Sequence, residues 1–152
     1  MEKRWKVLSY TSILLSVALL VTPKILPICR DLMITQSGSA VPMRCHYAYQ
    51  AEFLVSLLAL LISGSLLVVK GLEGRRTTSL FLVFTGLLAS LIPQKWIIGI
   101  CGNAAMDCHH AIHWMYGWAG LLILTGFTLA WLAGRTDEPI SNHNSSSFGE
   151  HL

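Results

Sequence analysis

Apolar positions in this chain gather into long runs separated by short polar breaks, and they show no strict alternation. Runs of this length read as helices at residues 7–28, 50–69, 77–98 and 110–134. A hydrocarbon core about 30 Å thick needs about 20 helical residues to cross it, and each run reaches that length or nearly so. In lipid, only a helix or a closed barrel can satisfy its backbone, and barrel alternation is missing. The pattern therefore predicts an all-α integral membrane four-helix bundle. Residues 1–134 form its transmembrane domain, and residues 135–152 form a polar, serine-rich tail predicted to be disordered and cytoplasmic.

Composition supports the membrane reading. The chain of 152 residues is 53% hydrophobic and 12% charged, against about 25% charged in an ordinary soluble domain. Its cations are unevenly placed. Lys3, Arg4, Lys6, Lys70, Arg75, Arg76 and Arg135 fall at one end of the bundle, and Lys24, Arg30, Arg44 and Lys95 at the other. That bias favours both termini on the cytoplasmic side of the plasma membrane. It also accounts for the net charge of +3 without a nucleic-acid partner. A basic start before an apolar run also fits a signal peptide. Removal would destroy half of an internal repeat, however, so the first helix is expected to be retained.

The runs are related. An apolar stretch ending in proline, then a cysteine, then Met-x-Cys-His and a second apolar stretch occurs twice. The first copy carries Pro23, Cys29, Met43, Cys45 and His46; the second carries Pro93, Cys101, Met106, Cys108 and His109. The chain thus reads as two tandem helical-hairpin repeats, with every cysteine at the extracytoplasmic end. Small residues mark where helices approach closely in lipid: Ala59 and Ser63, Gly86 and Ser90, then Gly120, Gly126, Ala130 and Gly134. Trp114, Tyr116, Trp118 and Trp131 read as interfacial anchors.

Three kinds of chemistry fit the outer end. An even number of cysteines in an oxidising compartment suggests disulfides. One bridge per loop, Cys29–Cys45 and Cys101–Cys108, is the preferred pairing among three. Thioether and imidazole ligands would instead suit copper, zinc or haem, with Met43, His46, Met106, His109 and His113 as the candidates, although no cofactor is required. A thiol-disulfide oxidoreductase shares the layout, but the C-x-x-C pair such enzymes use is missing. Glu52, at the entrance of the second helix, is the candidate for ion or proton handling, because a carboxyl near hydrocarbon is costly unless paired or hydrated.

The segments MRCHYAYQAE (residues 43–52) and CGNAAMDCHH (residues 101–110), set among four apolar runs, resemble a family of small bacterial four-helix membrane proteins. That family, a domain of unknown function, shows M-x-C-H-x4-A-E and C-G-N-x-x-M-x-C-H. The resemblance covers about residues 5–134. It implies importance for Met43, Cys45, His46, Ala51, Glu52, Cys101, Gly102, Asn103, Met106, Cys108 and His109. It also implies an accessory role beside transporter permeases related to lipoprotein- and macrolide-type exporters. The expectation is a non-enzymatic subunit of a membrane transport complex with a disulfide-stapled outer cap. Its partners are the lipid bilayer and a permease or further copies of itself. A metal or haem binder and a thiol oxidoreductase remain open as alternatives.

Overall fold

The computed structural model describes residues 2–25, 32–34, 38, 40–42, 44–99 and 107–135, without the side chains of residues 2, 32–34, 40–42, 44 and 107–110. The tail beyond Arg135 lies outside them. Four helices are present: α1 (Glu2–Ile25), α2 (Arg44–Val68), α3 (Leu72–Leu91) and α4 (Asp107–Arg135). Between α1 and α2, the strands β1 (Leu32–Ile34) and β2 (Ala40–Pro42) pair antiparallel, with Met33 opposite Val41. The polar segment between α1 and α2 therefore includes a short β-hairpin. Gly38 sits between its strands with φ +77°, a conformation that favours glycine.

Helix α1 packs on α2 and α4, and α3 packs on the same two. The four helices thus form a ring, with α1 diagonal to α3 and α2 diagonal to α4. Three of them, at Lys3–Ile25, Cys45–Val68 and Ala111–Arg135, are long and apolar enough to cross a membrane. Helix α3 has 20 residues and opens with Glu73, Arg75 and Arg76, which lowers the hydropathy of its first turn. It ends near Pro93, whose nitrogen has no hydrogen to continue the helical ladder; Gln94 N–H donates to the Leu91 carbonyl at 3.0 Å instead. The Gln94 amide also donates to the Tyr116 hydroxyl at 3.2 Å, tying the turn after α3 to α4.

Buried positions repeat between helices at constant spacing. Ser9, Ser12, Leu15, Ser16, Leu19 and Pro23 of α1 are buried, and so are Ser79, Leu82, Thr85, Gly86, Ala89 and Pro93 in and just after α3. Ala48, Ser56, Ala59, Ser63 and Leu66 of α2 match Ala111, Ala119, Leu122, Gly126 and Leu129 of α4 in the same way. Small side chains dominate this inward face, and most of the bulky residues on the other faces are exposed. In lipid that arrangement is reasonable, since apolar surface gains little from leaving the hydrocarbon while close backbone approach gains packing.

The buried hydroxyls do not go unsatisfied. Ser9 donates to the Trp5 carbonyl at 3.0 Å and Ser12 to the Ser9 carbonyl at 2.8 Å. Ser16 donates to the Ser12 carbonyl at 2.8 Å, and its oxygen lies 3.0 Å from the Ser63 hydroxyl. With the Ser16 hydrogen committed, Ser63 is the donor between α1 and α2. At the matching positions of the other helix pair stand Gly86 and Gly126. There the backbones come close enough that a Cβ on Gly126 would meet the Val83 side chain at 2.9 Å and the Ser79 carbonyl oxygen at 3.2 Å. A Cβ on Gly117 would meet nothing within 4 Å. Gly126→Val should therefore cost about 1–3 kcal/mol by overpacking, and Gly117→Val less than about 0.5 kcal/mol beyond its helix propensity. Denaturant unfolding in detergent micelles measures both; equal losses would contradict the close α3–α4 contact.

Candidate functional site

The two prolines fall at one end of the ring, where α1 and α3 finish and α2 and α4 begin. Helix α2 starts at Arg44, six residues earlier than the apolar pattern suggests. Cys45 and His46 are therefore helical rather than part of a loop, and helical phase sends them in different directions. Cys45 faces inward at 4% exposure, whereas His46 is exposed, with its Nε2 3.1 Å from the Gln50 amide nitrogen. Two turns beyond Cys45 on the same inward face stands Glu52.

Glu52 is 1% exposed. Neither of its carboxyl oxygens has a hydrogen-bond partner among the described residues. Glu52 lines a pocket of about 40 Å³ together with Pro23, Cys45, Tyr49, Pro93 and Met115. That is room for a single ion or for one to a few waters, since one water needs about 10–15 Å³ measured this way. The remaining wall is apolar. Lys24, a described cation at this end, has its ammonium 5.3 Å from the centre of the Phe53 ring, in a cation–π contact. An unpartnered buried carboxyl costs free energy of order several kcal/mol if ionised, so a proton or another cation has to share the pocket with it.

Other predicted residues are distributed more widely. Cys45 carries a free thiol, and no disulfide occurs among the described residues. Cys29, Met43, Cys101, Gly102, Asn103 and Met106 lie outside them, as do the side chains of Cys108 and His109. The pairings Cys29–Cys45 and Cys101–Cys108 both involve such residues. His113 is exposed on α4 and does not join the pocket. No group of three or more His, Cys, Asp or Glu side chains is placed to share a metal among the described residues. Trp118, expected as an interfacial anchor, is half-buried and packs against the core, with Trp114 stacked on it at 6.3 Å.

Residues 12–132 match the family described as "Domain of unknown function (DUF4418)". The chain belongs to this family. Comparison with curated proteins and with solved structures gives no match. The DUF4418 match takes in most of all four helices, including Glu52 and both prolines, and stops short of the tail.

Sequence reasoning singled out Glu52 but missed Met115, Tyr49 and the two prolines as its surroundings. A signal for Met115 was present: it occupies in α4 the position that Glu52 occupies in α2, counted from each Cys-His pair. The two helices thus present a carboxyl and a thioether at matching places. Glu52→Met would make the two sites alike and remove the unpartnered group. It should raise stability by about 1–3 kcal/mol in a choline chloride buffer free of metal salts. Denaturant unfolding in micelles measures this; a loss of stability would contradict the absence of a partner for Glu52.

Proposed function

We propose that this DUF4418 protein is a four-span membrane subunit built from two tandem helical hairpins. Both termini are cytoplasmic, and its working end is the extracytoplasmic proline end. It serves as an accessory subunit of a membrane transport complex, and the Glu52 pocket handles an ion or proton there. The observation that carries the reading is the unpartnered carboxyl of Glu52, 1% exposed, beside a pocket lined by residues of α1, α2 and α4 and by Ile92 and Pro93 just after α3. Ionisable groups at membrane depth are expensive to keep, and where they occur they mark ion or proton sites by default.

Two further features support the assignment. A pocket of about 40 Å³ has room for an ion or a few waters, which suits an accessory subunit rather than the path of a bulkier cargo. The recurrence of buried positions from α1 to α3 and from α2 to α4 supports duplication. It also supports treating α3 as a fourth span. At 20 residues it rises about 30 Å, and it packs antiparallel between two helices that are long enough to cross. The cation bias at the end opposite the prolines supports the orientation.

One preparation tests orientation and role together. A tagged chain carrying Lys95→Cys, with its own cysteines changed to serine, is expressed in its own host. Intact cells should modify Cys at that position with a membrane-impermeant maleimide, and isolation in mild detergent should bring an equimolar permease. Labelling that needs lysis would contradict the orientation. Recovery of the chain alone would contradict the accessory role.

A further inference from the structure

At the end of the ring opposite the prolines, where α1 starts and α4 finishes, these two packed helices leave a groove of about 490 Å³ between them. That is an order of magnitude more room than the Glu52 pocket offers. Its walls are sorted by depth. Lys3 and Arg4 of α1 stand at the mouth, and Val7 and Leu8 follow one turn further in, on the same face because residues four apart in a helix stack. Across from them α4 supplies Thr128 and, one turn nearer its end, Leu132 with Trp131 beside it. The Thr128 hydroxyl donates to the Thr125 carbonyl at 2.8 Å, so its hydrogen is committed within α4 and the deeper half of the groove is apolar. Charge at the mouth has one sign. Lys3 and Arg4 are exposed, and no carboxyl is among the described residues that line the groove. A third cation, Arg135, holds its guanidinium 3.9 Å from the centre of the Trp131 ring, in a cation–π contact that places it beside the same mouth.

We infer that this groove binds one anionic phospholipid, with the headgroup phosphate on Lys3 and Arg4 and one acyl chain lying along Val7, Leu8, Thr128 and Leu132. Both helices are long and apolar enough to cross a membrane, which sets this end at the level of the headgroups, where indole rings such as that of Trp131 settle. Basic pockets between spanning helices are where anionic headgroups bind. Arginine presents paired N–H donors to two phosphate oxygens, and a neighbouring lysine adds a point charge. A zwitterionic headgroup brings its own ammonium to that cluster, so a net negative charge is preferred. The general bias of cations to one side of the membrane accounts equally for Lys70 and Arg76, which stand at the same end away from the groove. Lys3 and Arg4 differ from them in having apolar walls that run from the charges to hydrocarbon depth. Neither Glu52 nor the sidedness of the termini enters this binding.

Native mass spectrometry of the full-length chain, delipidated in detergent and titrated with phosphatidylglycerol or phosphatidylcholine of the same acyl chains, tests the site. Phosphatidylglycerol should saturate at one tightly held molecule per chain, at least about tenfold tighter than phosphatidylcholine. Lys3→Ala with Arg4→Ala should weaken it by at least about tenfold. Lys70→Ala with Arg76→Ala, an equal loss of charge at the same end, should leave it unchanged. Val7→Trp keeps every charge but fills the groove, and should also weaken binding by at least about tenfold. Inorganic phosphate in excess should not displace the lipid, because it brings no acyl chain. Equal affinity for the two lipids, equal weakening by the two double variants, displacement by phosphate, or undiminished binding by Val7→Trp would overturn the site. If Lys3→Ala with Arg4→Ala inserts poorly, Val7→Trp against the unchanged chain decides.

Discussion

Hydrocarbon leaves a polar group no solvent to fall back on, and in this bundle that constraint bears hardest on the carboxyl of Glu52. The hydroxyls of Ser9, Ser12 and Ser16 return to carbonyls of their own helix, as buried serines commonly do. Glu52 has no such recourse: neither oxygen has a partner among the described residues. Its position is not accidental to the fold. Helix α2 begins at Arg44, which sets the phase that turns Cys45 and Glu52 inward and His46 outward. Pro23 near the end of α1 and Pro93 just after α3 both line the pocket at that end of the ring, beside the carboxyl.

The two hairpins are alike in which positions they bury and unlike in how they hold together. In α1 and α2 the contact is a hydrogen bond between Ser16 and Ser63, 3.0 Å long. In α3 and α4 the same positions are Gly86 and Gly126, and the contact is backbone approach. The second device is tighter, since a Cβ at either glycine would come within 3.0 Å of a neighbouring side chain; the first keeps a polar link between helices. A parallel divergence separates Glu52 from Met115. One hairpin supplies a carboxyl to the proline end and the other a thioether, so a symmetric frame encloses an asymmetric site. The opposite end is closed differently, by Trp5 beneath the Arg75 guanidinium, 4.9 Å from its ring. Arg75 also donates to the Val69 carbonyl at 3.2 Å, fixing the link between α2 and α3.

Much of the frame was legible in the residues because membrane helices announce themselves by length and hydropathy. The prolines marked where α1 and α3 finish, and Glu52 stood out as a carboxyl beside an apolar run. What the pattern could not supply was phase at the polar helix starts. Arg44, Cys45 and His46 look like loop residues because their hydropathy is mixed, yet they form the first turn of α2. That one extension turns Cys45 inward and His46 outward, so adjacent residues of one motif part company. Tyr49, Met115 and the prolines gather around Glu52 only through the packing of separate helices, which no local pattern encodes. The charged start of α3 likewise lay outside the apolar run at 77–98: the helix opens at Leu72 and ends at Leu91, ahead of Pro93.

The most direct measurement is a diffraction structure of the chain grown in thallium(I) salt, a heavy stand-in for potassium whose anomalous signal locates it. The expectation is one strong peak in the pocket at the proline end, within bonding distance of a Glu52 oxygen. A pocket with no anomalous peak, or a Glu52 carboxyl paired with Lys24 or another side chain of the protein, would contradict it.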